Sequence, residues 1–213
     1  MEELTDHLRL ERYAVVGYSS GGPHALACAA VTGKRRIAAC GLVSSDAPYA
    51  RMRPGMIEEM YGVPEVDVAS ALARVTENSR AMRAAYRAIA NGDKRELALA
   101  CLDTATAQGL EGAASDSMLE ASASWGFEMT QVAAPVFLWH GTDDKDVPLE
   151  AAHFLADTLA ASPATVATVF CEGENHTLIR RRWKDILTQV VAVAQGEGER
   201  EGENAGSDGG GGA

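Results

Sequence analysis

Four short apolar runs divide this chain. They occupy residues 13–17 (YAVVG), 37–43 (IAACGLV), 134–139 (APVFLW) and 164–170 (ATVATVF). Each is bounded by glycine, proline or charged clusters, and short continuous runs of this kind are how strands buried on both faces read. Between the first two, Pro23-His24-Ala25-Leu26-Ala27-Cys28-Ala29-Ala30 has helix character, and residues 1–10 (MEELTDHLRL) read as a helix leading into the first run. Strands alternating with helices predict an α/β fold with a parallel sheet. The expected strand order follows the sequence: 13–17, 37–43, 134–139, 164–170. The strand pattern stops between the second and third runs. Residues 74–90 and 95–107 are instead rich in helix formers with few breakers. This gives four segments: 1–46, a helical 47–131, 132–195, and a tail, 196–213.

Candidate chemistry falls at the ends of the apolar runs. The first ends in Gly17-Tyr18-Ser19-Ser20-Gly21, a Gly-x-Ser-x-Gly sequence between a strand and a helix. Such a turn exposes its serine on a sharp bend, and glycine permits the strained backbone and close helix–strand approach. Pro23 suits the first helical turn, where a missing N–H costs nothing. The helix would point free N–H groups and its positive dipole end at the serine. The third run leads into His140-Gly141-Thr142-Asp143-Asp144-Lys145-Asp146-Val147-Pro148, and the fourth into Cys171-Glu172-Gly173-Glu174-Asn175-His176. A serine, then an acid, then a histidine each follow a strand. A serine hydroxyl is a weak nucleophile until a base takes its proton, and an imidazole held by a carboxylate is such a base.

The segments GYSSGGPHALACAA, LVSSDAPYA, HGTDDKDVP and EGENHTLI together resemble an α/β-hydrolase of the soluble esterase or lipase type, over residues 13–195. The resemblance implies an α/β-hydrolase fold with a helical cap insertion and a Ser-His-Asp mechanism. Ser19 maps onto the nucleophile, His176 onto the base and Asp144 onto the acid, with Asp46, after Val43-Ser44-Ser45, as a second candidate acid. The N–H of Ser20 would donate to the oxyanion. A serine nucleophile favours esters, thioesters or activated amides, so a small ester-like substrate is expected, with no metal and no organic cofactor. Segment 47–131 would be a lid, with six of the seven methionines in it; Met52, Met56 and Met60 have the spacing of one helix face. His24 is expected to pack or cap, His140 to bond locally, and His7 and His153 to lie on helix surfaces.

The family sets further strands before the nucleophile strand, about 60 residues at usual element lengths, and these are not in this sequence. The fold is therefore expected to be N-terminally truncated. The second oxyanion donor would be lost, at a cost on the order of 10²–10³ in rate. Strand 13–17 would become an apolar edge, open to pairing with a second copy. A rival reading follows: a catalytically weak or inactive fragment that acts as an interaction partner through that edge.

Composition narrows the field. A net charge of −11 argues against nucleic-acid and anionic-membrane partners. No stretch of 18 apolar residues suggests a membrane span. Cys28, Cys40, Cys101 and Cys171 lack metal-site spacing and lie in or beside apolar runs, as reduced buried thiols do. With no secretory leader pattern, this fits the cytoplasm. The tail has eight glycines and five acids in 18 residues, with nothing to bury, and is expected to be disordered.

Overall fold

The computed structural model describes residues 2–205. In chain order its main elements are α1 (Glu2–His7), β1 (Tyr13–Tyr18), α2 (Gly21–Thr32), β2 (Ile37–Val43), α3 (Tyr49–Met52), α4 (Met56–Tyr61), α5 (Val68–Arg87), α6 (Gly92–Ala105), α7 (Glu111–Ala121), β3 (Val136–Gly141), α8 (Leu149–Leu159), β4 (Val166–Cys171) and α9 (Ile179–Ala205). Short 3₁₀ turns occupy Met129–Gln131 and His176–Leu178. The four strands form one parallel sheet in the order β1-β2-β3-β4, as the apolar runs predict.

Burial explains the pattern. Every residue of β2 and β3 is buried, whereas β1 is half-buried and β4 partly exposed. The two inner strands therefore carry continuous apolar sequence. On one face Ala39 and Val43 of β2 and Phe137 and Trp139 of β3 pack against Leu178, Ile186 and Val190, with Ala14, Val16 and Tyr18 of β1 beside them. Phe137 and Trp139 are two residues apart, so they share that face, and their rings stack with centroids 5.8 Å apart. Right-handed crossovers put α2 and α8 on the opposite face, where Leu26, Ala29, Leu155 and Leu159 are buried.

The chain separates into two compact units. One comprises residues up to 47 and from 124 onward; the other is Pro48–Ala123. The second is wholly helical. α5 begins at Val68 because the Asp67 carboxylate accepts the Ser70 N–H, while the Ser70 hydroxyl accepts the Asp67 N–H. α6 begins at Gly92, capped by the Asn91 side chain on the Lys94 N–H. Both helices start and stop earlier than the runs of helix formers suggest.

Three expectations need correction. Met52, Met56 and Met60 do not share one helix. Pro54 disfavours helix at Arg53, which is extended at φ −158°, and Gly55 turns the chain at φ 80°. Met52 therefore ends α3 while Met56 and Met60 lie in α4. The cysteines are not uniformly buried: Cys40 is, Cys28 and Cys171 are half-buried, and Cys101 is exposed. The tail does not lose regular structure at residue 196. α9 continues to Ala205, since extending an existing helix needs no new nucleus. The rest of the tail, 206–213, lies outside the described residues.

Candidate active site

The site gathers at the C-terminal ends of β1, β3 and β4. β1 ends at Tyr18, and α2 starts at Gly21, so only Ser19 and Ser20 turn the chain. Ser19 has φ 54°, in the left-handed region that costs a side-chain-bearing residue on the order of 1–2 kcal/mol. Its backbone is pinned from two sides. The Ser19 N–H donates to the Val43 carbonyl at 3.0 Å, and the Ser19 carbonyl accepts from Gly22 at 2.9 Å and Asp46 at 3.3 Å. Gly17 is required by this geometry: a Cβ there would lie 2.6 Å from the Gly21 carbonyl carbon and 2.7 Å from the Gly22 Cα. Gly22 is crowded from the other side, with its would-be Cβ 2.5 Å from the Ser45 Cβ. By contrast nothing among the described residues comes within 4 Å of a Cβ at Gly21.

The loops after β3 and β4 are stitched together. The Thr142 N–H donates to the Cys171 carbonyl at 3.0 Å, the Asp143 N–H to the Glu174 carbonyl at 2.9 Å, and the Gly173 N–H to the Thr142 hydroxyl at 2.9 Å. Gly141 permits the approach, since its Cβ would lie 2.6 Å from the Glu174 carbonyl carbon. Glu174 is tied outward to Arg181, which holds its carboxyl below the usual range.

This framework brings Ser19, Asp144 and His176 into one hydrogen-bonded chain. His176 Nε2 lies 3.0 Å from Ser19 Oγ, and His176 Nδ1 lies 2.9 Å from Asp144 Oδ2. The other Asp144 oxygen accepts the N–H groups of Asp146 at 3.0 Å and Val147 at 2.9 Å. The Asp144 side chain is fully buried. Burial alone would push its carboxyl up, but the bonds from His176, Val147 and Asp146 outweigh it and hold the group below the usual range. Burial works against a charged His176. The bond to Asp144 and that carboxylate's charge, aided by Asp146 and Asp46, nevertheless raise its pKa above the ordinary imidazole value. An imidazole in that field readily takes a proton from a hydroxyl on its far side.

Among the other residues singled out in the sequence, Asp46 is buried near the serine, but His176 bonds Asp144. Ser20 is exposed and immediately precedes α2, whose first N–H groups have no partner within the helix. His24 is exposed in the first turn of α2 rather than packed. His140 is fully buried, with Nε2 3.0 Å from the Val147 carbonyl and 3.7 Å from Asp144 Oδ2; burial lowers its pKa. His7 and His153 are exposed on helices, as expected. Asp144, Asp146 and His176 offer ligand atoms within 4.8 Å of one another, the set among the described residues that could hold a cation. Asp144 Oδ1 already accepts two N–H groups and Oδ2 the bond with His176.

Tyr18 is a neighbour that sequence reasoning passed over. Its hydroxyl donates to the His176 carbonyl at 2.9 Å, and the two rings lie 5.1 Å apart at 37°. Its only signal in the sequence is its place beside the serine.

No protein-family model matches the chain, and no curated protein matches it in sequence. Solved structures do match. An esterase from Exiguobacterium antarcticum aligns with a TM-score of 0.63 at 19% identity, over 90% of this chain and 70% of that one. An enol-lactonase from Burkholderia xenovorans aligns with a TM-score of 0.56 at 19% identity, over 90% and 69%. A bromoperoxidase from Bacillus anthracis aligns with a TM-score of 0.55 at 19% identity, over 91% and 71%. With the parallel sheet and the turn at Ser19, these matches establish the α/β-hydrolase fold. The neighbours' own names make several of them hydrolases. Among the described residues no helix is long and apolar enough to cross a membrane.

Proposed function

We propose that this chain is a serine hydrolase acting on small ester-like substrates, with Ser19 as nucleophile, His176 as general base and Asp144 as the acid that orients it. The observation that carries the reading is the unbroken path Ser19 Oγ–His176 Nε2 and His176 Nδ1–Asp144 Oδ2, at 3.0 and 2.9 Å. The esterase and enol-lactonase names among the fold neighbours agree with it.

The steps balance in protons and bonds. His176 Nε2 takes the Ser19 hydroxyl proton as Oγ bonds to the substrate carbonyl carbon. The carbonyl oxygen becomes an oxyanion and accepts from the Ser20 N–H at the start of α2. The carbon–oxygen bond to the leaving alcohol breaks, and the imidazolium returns its proton to that alcohol. Water then gives a proton to His176 as its oxygen bonds to the acyl carbon; the acyl carbon–Oγ bond breaks to free the acid, and the imidazolium returns that proton to Ser19 Oγ. Throughout, Asp144 holds the imidazole tautomer and stabilises the imidazolium. No step requires a metal or organic cofactor. The helical unit lies between β2 and β3 in the chain, where the resemblance sets a lid.

Labelling with a fluorophosphonate probe, beside hydrolysis of a short p-nitrophenyl ester, tests the assignment. Both should require Ser19 and His176. Labelling that survives Ser19→Ala would refute it.

A further inference from the structure

The geometry points to Tyr18 as the positioning residue for His176: its hydroxyl and ring hold the base against the serine that follows it in the chain. The inference rests on the proposed role of His176 and names the group that keeps it in place.

The reasoning starts from where His176 sits. It follows β4, the partly exposed outer strand, and its loop is exposed at Glu172, Gly173 and Asn175. Asn175 caps the following 3₁₀ turn through the Thr177 N–H, which fixes the backbone after His176 but not its distance from β1. Asp144 holds one edge of the imidazole from the β3 loop. Leu178, buried in the core, anchors the far end of this turn, but the 3.0 Å separation between Nε2 and Ser19 Oγ needs a link at His176 itself. Tyr18 supplies that link twice. Its hydroxyl donates to the His176 main-chain carbonyl across 158 residues of sequence, and its ring lies against the imidazole. Because Tyr18 and Ser19 are adjacent, any shift of the turn at Ser19 carries both the nucleophile and the anchor of its base.

The alternation of β1 makes this placement structural rather than accidental. Ala14, Val16 and Tyr18 face the α9 side, where the side chains of β1 join the core. Val16 and Ala14 spend that face on packing; Tyr18, at the strand's end, reaches past the core edge to the β4 loop. Its phenol is a dependable donor. Burial, then the nearby Asp144 carboxylate, oppose loss of the proton; Arg180 pulls the other way less strongly, and Asp146 adds a lesser push in the first direction.

The test compares wild type, Tyr18→Phe and Tyr18→Leu, with Ser19→Ala as the blank. Three quantities are read: fluorophosphonate labelling rate against pH, the thermal midpoint, and the downfield proton resonance of the His176 Nδ1–H, assigned by its loss in His176→Ala. Tyr18→Phe keeps the ring and removes one hydrogen bond. It should label about 3- to 10-fold more slowly. Tyr18→Leu should lose about tenfold more as the ring contact goes. In Tyr18→Phe the Nδ1–H resonance should broaden. The labelling midpoint should move down toward the ordinary imidazole value, because the raised value depends on the Asp144 bond while Asp146 and Asp46 still face the ring. A merely structural tyrosine would lower the thermal midpoint and leave resonance and pH midpoint in place; that result overturns the inference, as does a Tyr18→Phe protein identical to wild type. If wild type itself fails to label, the hydrolase reading falls, and the resonance comparison still decides whether Tyr18 holds His176.

Discussion

Two glycines of one motif should respond oppositely to the same substitution. A methyl group at Gly17 would lie 2.6 Å from the Gly21 carbonyl carbon and 2.7 Å from the Gly22 Cα. Ordinary carbon–carbon contact is about 3.5–4.0 Å, so the start of α2 must retreat by about 1 Å. Backbone cannot rotate out of the way as a side-chain tip can. Overpacking of this kind costs about 1–3 kcal/mol. The displaced atoms flank Ser19, whose hydroxyl sits 3.0 Å from His176 Nε2. A shift of about 1 Å takes that pair beyond hydrogen-bond range, and misplacement on that scale can cost about 10² in rate. Gly17→Ala should therefore label with fluorophosphonate about 100-fold more slowly and melt at a lower temperature. Gly21→Ala meets nothing within 4 Å, and its φ is not positive. It should keep the wild-type rate and gain up to about 1 kcal/mol of helix stability. Single-turnover labelling with thermal melts on the same samples reads both. The packing argument fails if Gly17→Ala labels normally, or if Gly21→Ala is as damaged as Gly17→Ala.

Further outcomes follow from the same coordinates. Asp144→Asn should lower the labelling rate by about 10³–10⁴, by analogy with removal of the acid in a Ser-His-Asp triad, while Asp46→Asn has a much smaller effect; rates of the two variants side by side separate the candidate acids. Labelling should rise with pH through a midpoint above the ordinary imidazole value of 6.5, since Asp144 raises His176; a midpoint below it contradicts the bond. His176 gains stability that is complete below its unfolded midpoint and fades as pH rises through the higher folded one. Asp144, held low, stabilises above its unfolded midpoint and loses that contribution as pH falls through the folded one. Buried His140 adds an opposite slope to His176, losing stability as pH falls below 6.5. Chemical denaturation across pH should show His140→Phe abolishing that last loss. A maleimide should modify Cys101 in the native protein but reach Cys40 only on unfolding, because Cys40 is buried and its thiol is pushed up to about 12.

The sheet was legible because two of its strands are buried on both faces, and such strands read as near-continuous apolar runs. The errors at strand ends have a physical source. β3 and β4 run to Gly141 and Cys171, past the expected ends at 139 and 170, because His140 and Gly141 still pair with Phe170 and Cys171 in the ladder. A histidine and a glycine read as turn, yet here the histidine is buried on the strand and the glycine admits the neighbouring loop. The helical unit was less legible. Residues 52, 56 and 60 have helical spacing, but one proline and one left-handed glycine outweigh a periodicity of three residues.

Ser19, Asp144 and His176 could be nominated from the sequence because each follows a recognisable strand and the turn at Ser19 has its own glycine signature. What could not be read is what makes their distances short. The Thr142 and Asp143 N–H groups join the β3 loop to the β4 loop, and Tyr18 joins the β4 loop to β1. These links depend on loop lengths and strand register, which leave no local pattern. The same limit applies to the glycines: a sequence shows Gly17, Gly21 and Gly22 as equivalent small residues, whereas the fold presses backbone or side chain against two of them and nothing among the described residues against the third. Motifs therefore nominate candidate groups, and long-range packing decides whether those groups meet at 3 Å or at 4 Å.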